Sequence, residues 1–311
     1  MSREWLRRLS RVGTIIVLLL VLSVISPAFL SVQNLINVVR QASPLFLLAS
    51  GLTIVVLTAG IDLSIGSILA VSACVAANFI VQGSVWVGSL VGLAVGAVCG
   101  LLNGLLVAVI GLPPFIATYG MLWVAQGFAQ GFMQGEITAG FPTSFRFLGA
   151  GHFLGVPVPI LMMLATLAIC SLVLRRTIFG RYVYAMGANR EAARLSGIRI
   201  RRNLLLVYSV SGLISAFAGL VYVSRINGVE SSIGEPLLLP ALAAVCIGGT
   251  SLFGGEGGIE GTLAGALIMT LVTNGMNLLN VSPYWQSFVM GAIVVLAVAI
   301  DQLGAEKVGR T

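Results

Sequence analysis

The sequence predicts an all-α protein that crosses a membrane about ten times, and three observations support this. Of the 311 residues, 58% are hydrophobic and 9% are charged, whereas a soluble domain carries about 25% charged residues. Several charge-free runs reach the roughly 20 apolar residues that a membrane-spanning helix needs. Arginines cluster beside these runs, which is typical of cytoplasmic loops. The net charge of +7 therefore indicates membrane topology and not nucleic-acid binding.

Counting the uncharged runs in chain order gives ten predicted spans. The run Leu63–Gly135 holds three of them, because glycine, proline and polar residues interrupt it at 82–84 and 111–114. The run Gly261–Ile300 holds two, divided at 280–283. Five further runs each hold one span: Val12–Leu30, Gln41–Ile61, Phe153–Leu174, Asn203–Ser224 and Pro236–Gly255.

The distribution of arginines predicts the orientation. The arginine-rich N-terminus is expected in the cytoplasm, and ten spans return the C-terminus to the same side. The segment Arg175–Arg202 carries eight arginines and one glutamate and follows the sixth span, so it is predicted to be cytoplasmic. The longest outer loop is predicted at about Gln134–Pro157 and contains the only histidine, His152. We expect one membrane domain, residues 1–311, surrounded by lipid bilayer.

A short helix is predicted inside the cytoplasmic segment. Asn189 is a suitable N-cap and Gly197 a suitable residue just after a helix, and they bracket Arg190–Ser196. Arg190 and Arg194 share one face of this helix. Two turns are too few to be stable alone, so the pattern favours a helix that docks on another molecule. The alternative is a basic loop that only sets topology.

Small residues form two predicted packing seams. Glycine at every fourth position lets a neighbouring backbone approach one helix face. The fourth span carries Gly88, Gly92, Gly96, Gly100 and Gly104, and the fifth carries Gly127, Gly131 and Gly135.

Polar and aromatic residues also follow helical spacing in three spans. They could line a path for a neutral, polyhydroxylated solute, or they could form hydrogen bonds between helices. For each amide taken alone the second interpretation is favoured, and for the fifth-span stripe both stay open. The candidates are Tyr119, Trp123, Gln126 and Gln130 in the fifth span, Asn103 in the fourth, and Asn274 and Asn277 in the ninth.

Catalytic and nucleotide-binding chemistry is disfavoured. Asp62 follows Gly60 in a loop and is predicted to cap a helix; at membrane depth it would instead indicate a proton or cation site. The glycine-rich segment Gly248–Gly258 contains no Walker pattern, and the only lysine is Lys307. A single histidine makes a Ser–His dyad difficult to build. The four cysteines lie inside apolar runs and are expected to be buried thiols.

Four segments together resemble one family, the permease subunits of bacterial ATP-binding-cassette importers for monosaccharides of the ribose, xylose, arabinose and galactose type. They occur in family order and, with the spans between them, cover most of the chain. The resemblance implies a type II importer fold of ten spans in two related halves. The segments are Leu52–Ala73, Gly111–Gly127, Thr177–Ile198 and Leu239–Ile268.

The resemblance also implies a mechanism and partners in the bacterial inner membrane. The permease would pair with a second permease subunit, expected to be a copy of itself. A cytosolic ATPase would bind ATP and Mg²⁺, so no cofactor is expected in this chain, and a periplasmic or lipid-anchored sugar-binding protein would deliver the substrate. The segment that matches the family's ATPase-coupling helix includes Asn189, Arg190, Glu191, Ala192, Arg194, Leu195 and Gly197.

Two alternatives remain open from the sequence. Neighbouring permease families carry nucleosides or branched-chain amino acids. An ion-coupled secondary carrier would work without an ATPase, and it would need Asp62 near the middle of the membrane.

Overall fold

The computed structural model describes residues 3–26 and 29–309, and these residues are mostly helical. Thirteen α-helices are present within the described ranges, and a π-helical turn, Leu106–Ile110, extends the fourth. In chain order they are α1 Arg3–Ile25, α2 Val32–Val56, α3 Ile65–Val81, α4 Val85–Leu105, α5 Pro114–Met133, α6 Thr143–Ala150, α7 Val158–Arg176, α8 Ile178–Ala188, α9 Arg190–Leu195, α10 Ile200–Ile226, α11 Glu235–Ile247, α12 Ile259–Leu278 and α13 Pro283–Gly309. Four two-residue strands are β1 Thr138–Ala139, β2 His152–Phe153, β3 Val156–Pro157 and β4 Gly228–Val229.

The predicted breaks between spans match the observed helix ends. Turns separate α3 from α4, α4 from α5, and α12 from α13 where glycine, proline and polar residues interrupt the apolar runs. Several boundaries differ. The predicted sixth span begins at Phe153, whereas residues 153–157 belong to the β2–β3 hairpin and α7 begins at Val158. The predicted second span ends at Ile61, whereas α2 ends at Val56. Helix α2 begins at Val32, before Arg40, and α11 ends at Ile247, because the glycine-rich segment that follows forms turns. The predicted first span includes residues 27–28, which lie outside the described residues.

Not every predicted span is equally apolar. Among the described residues, five helices are long and apolar enough to cross a membrane by length and composition, and four shorter apolar helices accompany them. Helix α5 belongs to neither group, since it carries two glutamines and three glycines. The number of ten crossings therefore stays a prediction.

Helix α2 lies at the centre of the bundle. Every residue from Ala42 to Thr58 is buried, and α2 contacts α7, α10, α11 and α12. A helix that is apolar and buried on all sides belongs in a core. A hydroxyl contact of 2.7 Å between Thr53 and Thr262 ties α2 to α12.

The glycine seam of α4 is confirmed. A Cβ added at Gly96 would lie 2.5 Å from the carbonyl oxygen of Gly212 on α10, and one at Gly92 would lie 2.9 Å from that of Ser72 on α3. Any side chain there would force the helices apart. The α5 glycines have no such neighbour among the described residues, because a Cβ at Gly127, Gly131 or Gly135 meets nothing within 4 Å. The α5 seam therefore stays a prediction, for a contact with another chain.

Two loops pair at the end of the bundle opposite the arginine-rich segment. Strands β1 and β4 are antiparallel, with Thr138 opposite Val229. The Asn227 side chain accepts a hydrogen bond of 3.0 Å from the backbone N–H of Phe141. Ser224 donates to the carbonyl of Phe145 at 2.7 Å and accepts from the N–H of Gly149 at 2.8 Å. The predicted outer loop is therefore an ordered cap containing α6 and the β2–β3 hairpin.

Candidate coupling surface and polar path

The arginine-rich segment folds into two helices joined by a single extended residue. Thr177 caps α8 by accepting a hydrogen bond from the N–H of Gly180 at 3.2 Å. Asn189 caps α9 by accepting from the N–H of Ala192 at 2.9 Å, as the sequence predicted. Helix α8 was not predicted; the threonine three residues before Gly180 was the available signal.

Helix α9 is one residue shorter than predicted. It ends at Leu195, Ser196 is the C-cap, and Gly197 has a φ of 85°. That left-handed conformation favours glycine. Only Ala193 is buried, at 4% exposure, whereas Leu195 is 74% exposed. The helix therefore presents Leu195, an apolar side chain, outward from its own chain.

The charges on α9 are arranged around one ion pair. The Arg194 guanidinium donates to both carboxylate oxygens of Glu191, with Nε 2.9 Å from Oε2. The same contact lowers the pKa of Glu191 from its usual value. An open pocket of about 620 Å³ adjoins the helix, and it is lined by Ala108, Arg190, Glu191, Arg194, Ile198, Arg199, Ile200 and Arg201.

Three segments meet backbone to backbone behind α9. A Cβ at Gly187 would overlap the carbonyl oxygen of Leu57 and lie 2.5 Å from the nitrogen of Gly255. The N–H of Gly255 donates to the Leu57 carbonyl at 3.0 Å. Gly254 packs against Ala59, and a Cβ there would approach within 2.7 Å of its nitrogen. We call Leu57, Ala59, Gly187, Gly254 and Gly255 the glycine junction; it joins the ends of α2 and α8 to the turn before α12.

Polar contacts also connect helices beside the glycine junction. Arg175 at the end of α7 forms an ion pair of 2.9 Å with Glu260 in the first turn of α12. Ser171 donates to the same carboxylate. Tyr184 of α8 donates to the carbonyl of Gly257 at 2.9 Å. A displacement of α8 and α9 would therefore also displace α2 and α12. The glycine-rich segment serves here as a packing element.

Asp62 is fully buried in a small polar cluster. Its Oδ1 accepts from the N–H of Ser64 at 3.0 Å and from the Ser64 hydroxyl at 2.6 Å. Its Oδ2 accepts from the Ser211 hydroxyl at 3.3 Å. These bonds hold the turn that precedes α3. They reach the N–H of Ser64 and not the N–H groups of the first helical turn, so the prediction that Asp62 caps the helix is wrong.

The predicted path residues do not come together in one site of the structure. Asn103 is buried and donates to the Ser64 hydroxyl at 2.7 Å, which ties α4 to α3. Asn274 exchanges side-chain hydrogen bonds with Asn34 of α2 at 3.1 and 3.2 Å. Asn277 accepts from Gln286 of α13 at 2.9 Å. In this geometry the three amides connect helices within one chain.

The fifth-span stripe divides by burial. Gln126 is 2% exposed and donates to the carbonyl of Ser231 at 3.1 Å. Tyr119, Trp123 and Gln130 lie on an exposed face of α5, with the rings of Tyr119 and Trp123 packed edge to face at 6.4 Å. Trp123 is 60% exposed. This face has no partner within the described residues of the chain.

Comparison with known proteins identifies the family. Residues 34–298 match the family described as the branched-chain amino acid transport system permease component. The chain is 39% identical to the ribose import permease protein RbsC of Escherichia coli over 305 residues, which cover 96% of this chain and 95% of the relative. It is 42% identical to RbsC of Bacillus subtilis over 289 residues, with coverage of 92% and 90%.

A more distant match is the fructose import permease protein FrcC of Rhizobium meliloti, at 37% identity over 284 residues, with coverage of 88% and 79%. No solved structure shows significant similarity to the chain. The apolar helices agree with the transport family. This chain therefore belongs to the family of branched-chain amino acid transport system permease components and is a multi-pass membrane transport subunit.

Proposed function

We propose that this chain is the permease subunit of an ATP-driven importer that carries a monosaccharide across the bacterial inner membrane. The observation that carries the proposal is its near-full-length similarity to two ribose import permeases. The fructose import permease, at 37% identity, supports the class of monosaccharides and not one particular sugar.

In the proposed assembly, two copies of the chain pair in the membrane and a separate cytosolic ATPase supplies the energy. The ATPase holds ATP and its Mg²⁺. Helix α9 rests in a groove of that ATPase and uses Asn189, Arg190, Glu191, Ala192, Arg194, Leu195 and Gly197. The exposed Leu195 and the exposed arginines of α9 support this role. The glycine junction then carries the movement of α8 and α9 to α2 and the turn before α12.

The proposal includes the orientation of the chain in the membrane. The segment 175–202 and both termini face the cytoplasm, as the arginine distribution favours. The ordered cap formed by β1 and β4 faces the periplasm, where a sugar-binding protein delivers the substrate. Two exposed carboxylates, those of Glu136 and Glu230, belong to the loops at this end.

In this proposal the translocation path lies between the two copies. Tyr119, Trp123 and Gln130 face away from their own chain, so a second copy can close a path around them. Aromatic faces and amides suit a neutral sugar, which offers C–H surfaces and hydroxyl groups. Gln126, Asn103, Asn274 and Asn277 remain candidates that act by holding this path's helices.

Replacement of the permease gene in a bacterial strain tests the proposal. This chain replaces the strain's own ribose permease, while the ATPase and binding protein are kept or supplied from the chain's neighbouring genes. We expect uptake of radiolabelled ribose, fructose or galactose that stops when ATP is depleted. Uptake that persists without ATP would contradict the proposal and favour a secondary carrier.

The family description makes branched-chain amino acids the second candidate substrate class. Radiolabelled leucine is measured in the same cells, and unlabelled sugars and amino acids are added as competitors. Competition by leucine alone would replace the monosaccharide assignment while leaving the importer mechanism in place.

A further inference from the structure

An apolar groove of about 740 Å³ runs along the surface of the membrane-spanning helices. Its walls are α7, through Ile169 and Val173, and α10, through Val210 and Leu213, and Ile54 of α2 forms part of its floor. Its size lies within the range of roughly 300–1,000 Å³ of ligand pockets. The polar side chains in the lining are two threonines, so the groove suits an apolar occupant.

Both walls end in an arginine at the same end of the groove. On α7, Arg176 follows Val173 by three residues, and on α10, Arg202 precedes Leu206 by four residues. These spacings keep each arginine on the face that lines the groove. Both residues belong to the segment 175–202, where α7 ends and α10 begins, so the charges meet at one end.

Two other arginines of the segment are already held in ion pairs, whereas among the described residues these two are not. Arg175 pairs with Glu260 at 2.9 Å and Arg194 pairs with Glu191. Arg176 and Arg202 are exposed, and no ion pair is described for either within residues 3–26 and 29–309. The pair therefore presents two positive charges at the mouth of an apolar groove.

We propose that this groove binds an anionic phospholipid, with an acyl chain between α7 and α10 and its phosphate headgroup on Arg176 and Arg202. A phospholipid supplies an apolar chain and a terminal anion in the order in which the groove presents its walls and charges. Basic residues at the cytoplasmic end of grooves between membrane helices bind such headgroups. The leaflet is that of the segment 175–202, so the assignment to the cytoplasmic leaflet rests on the orientation proposed above.

Native mass spectrometry of the full chain, purified in mild detergent, tests the site. The protein is stripped of lipid and then mixed with phosphatidylglycerol or, as the neutral comparison, phosphatidylcholine. We expect preferential retention of phosphatidylglycerol. The double variant Arg176→Gln/Arg202→Gln should lose about fivefold in affinity per arginine and about 25-fold in all. The matched double variant Arg199→Gln/Arg201→Gln removes the same charge beside α9 and should retain the lipid.

A second pair of variants tests the apolar part without changing charge. Leu213→Trp fills the groove and should reduce retention of phosphatidylglycerol. Leu172→Trp places the same ring on an exposed position of α7 outside the groove lining and should not reduce it.

Equal effects of the two arginine pairs, or equal retention of the two lipids, would overturn the proposal. A shift from dimer to monomer in Leu213→Trp at unchanged lipid content would show that a second copy occupies the groove. Because this binding is measured without transport, it can fail separately from the importer function.

Discussion

At the scale of single residues, Gly187 shows how closely three segments approach. Its position admits no side chain, because the Leu57 carbonyl and the Gly255 nitrogen occupy the space that a Cβ would need. The sequence placed Gly187 beside the predicted helix but gave no sign of this contact. Residues 57, 187 and 255 are far apart in the chain, and only the packing of α2, α8 and the turn before α12 brings them together.

We predict that Gly187→Ala separates these segments and destabilises the chain by about 1–3 kcal/mol, the usual cost of overpacking a tight contact. Gly291→Ala is the matched control, since a Cβ there meets nothing within 4 Å. Thermal unfolding in detergent measures both variants. An equal melting temperature for the two would show that the glycine junction tolerates a methyl group.

Two substitutions of Asp62 distinguish a structural role of its carboxylate from a role in proton coupling. In Asp62→Asn the amide oxygen can still accept from Ser64, so we expect folding and transport to be retained with an unchanged pH profile of uptake. In Asp62→Ala the Ser64 N–H loses its partner, at a cost of about 1–3 kcal/mol for a buried group. Loss of transport in Asp62→Asn with normal folding would assign the carboxylate a role in coupling.

At the scale of elements, α9 is the helix that the sequence described most completely. Its N-cap Asn189 and the glycine that follows its end, Gly197, were predicted because helix termination depends on local residue types. Helix α8 was not predicted, although its N-cap Thr177 is a local signal of the same kind.

We predict that Arg194→Glu weakens association with the ATPase while membrane insertion stays intact. The change breaks the ion pair with Glu191 and places two like charges one turn apart, which weakens the exposed helix only slightly. Its larger effect is to reverse a charge on the proposed docking surface. Co-purification of the ATPase and its rate of ATP hydrolysis measure the outcome.

Arg181→Glu is the control for this substitution, because Arg181 is exposed on α8 outside the proposed coupling residues. Equal assembly and equal ATP turnover in wild type and Arg194→Glu would remove α9 from the coupling role.

At the scale of the whole molecule, the exposed face of α5 is the surface that the second copy of the proposed pair could cover. Tyr119, Trp123 and Gln130 lie exposed, and Gly127 and Gly131 meet no neighbour within the described residues. Small residues on an outward face allow a second backbone to approach in a membrane.

We predict that Gly127→Leu weakens self-association by tenfold or more, equivalent to about 1.4 kcal/mol. The mechanism is loss of close approach between the two α5 helices. Gly291→Leu adds the same side chain at another open position and should leave dimers intact. Native mass spectrometry at several protein concentrations measures both, and equal dimer fractions would place the contact elsewhere.

The sequence by itself determined the helical membrane architecture, the breaks between most spans, the capped helix α9 and the family. These follow from apolar run length, from interrupting glycine, proline and polar residues, and from local capping chemistry, all of which act within a few residues along the chain. The α4 seam was also predictable, since its spacing of four residues is a local pattern.

Only the tertiary structure decided what the polar residues and glycines contact. Two glycine seams with the same spacing face α3 and α10 in one case and away from the chain in the other. Asn103 and Asn274 join helices, whereas Trp123 faces outward. Helical spacing fixes which residues share a face, but the partner of that face depends on how distant helices pack, and this packing is not encoded in any one local segment.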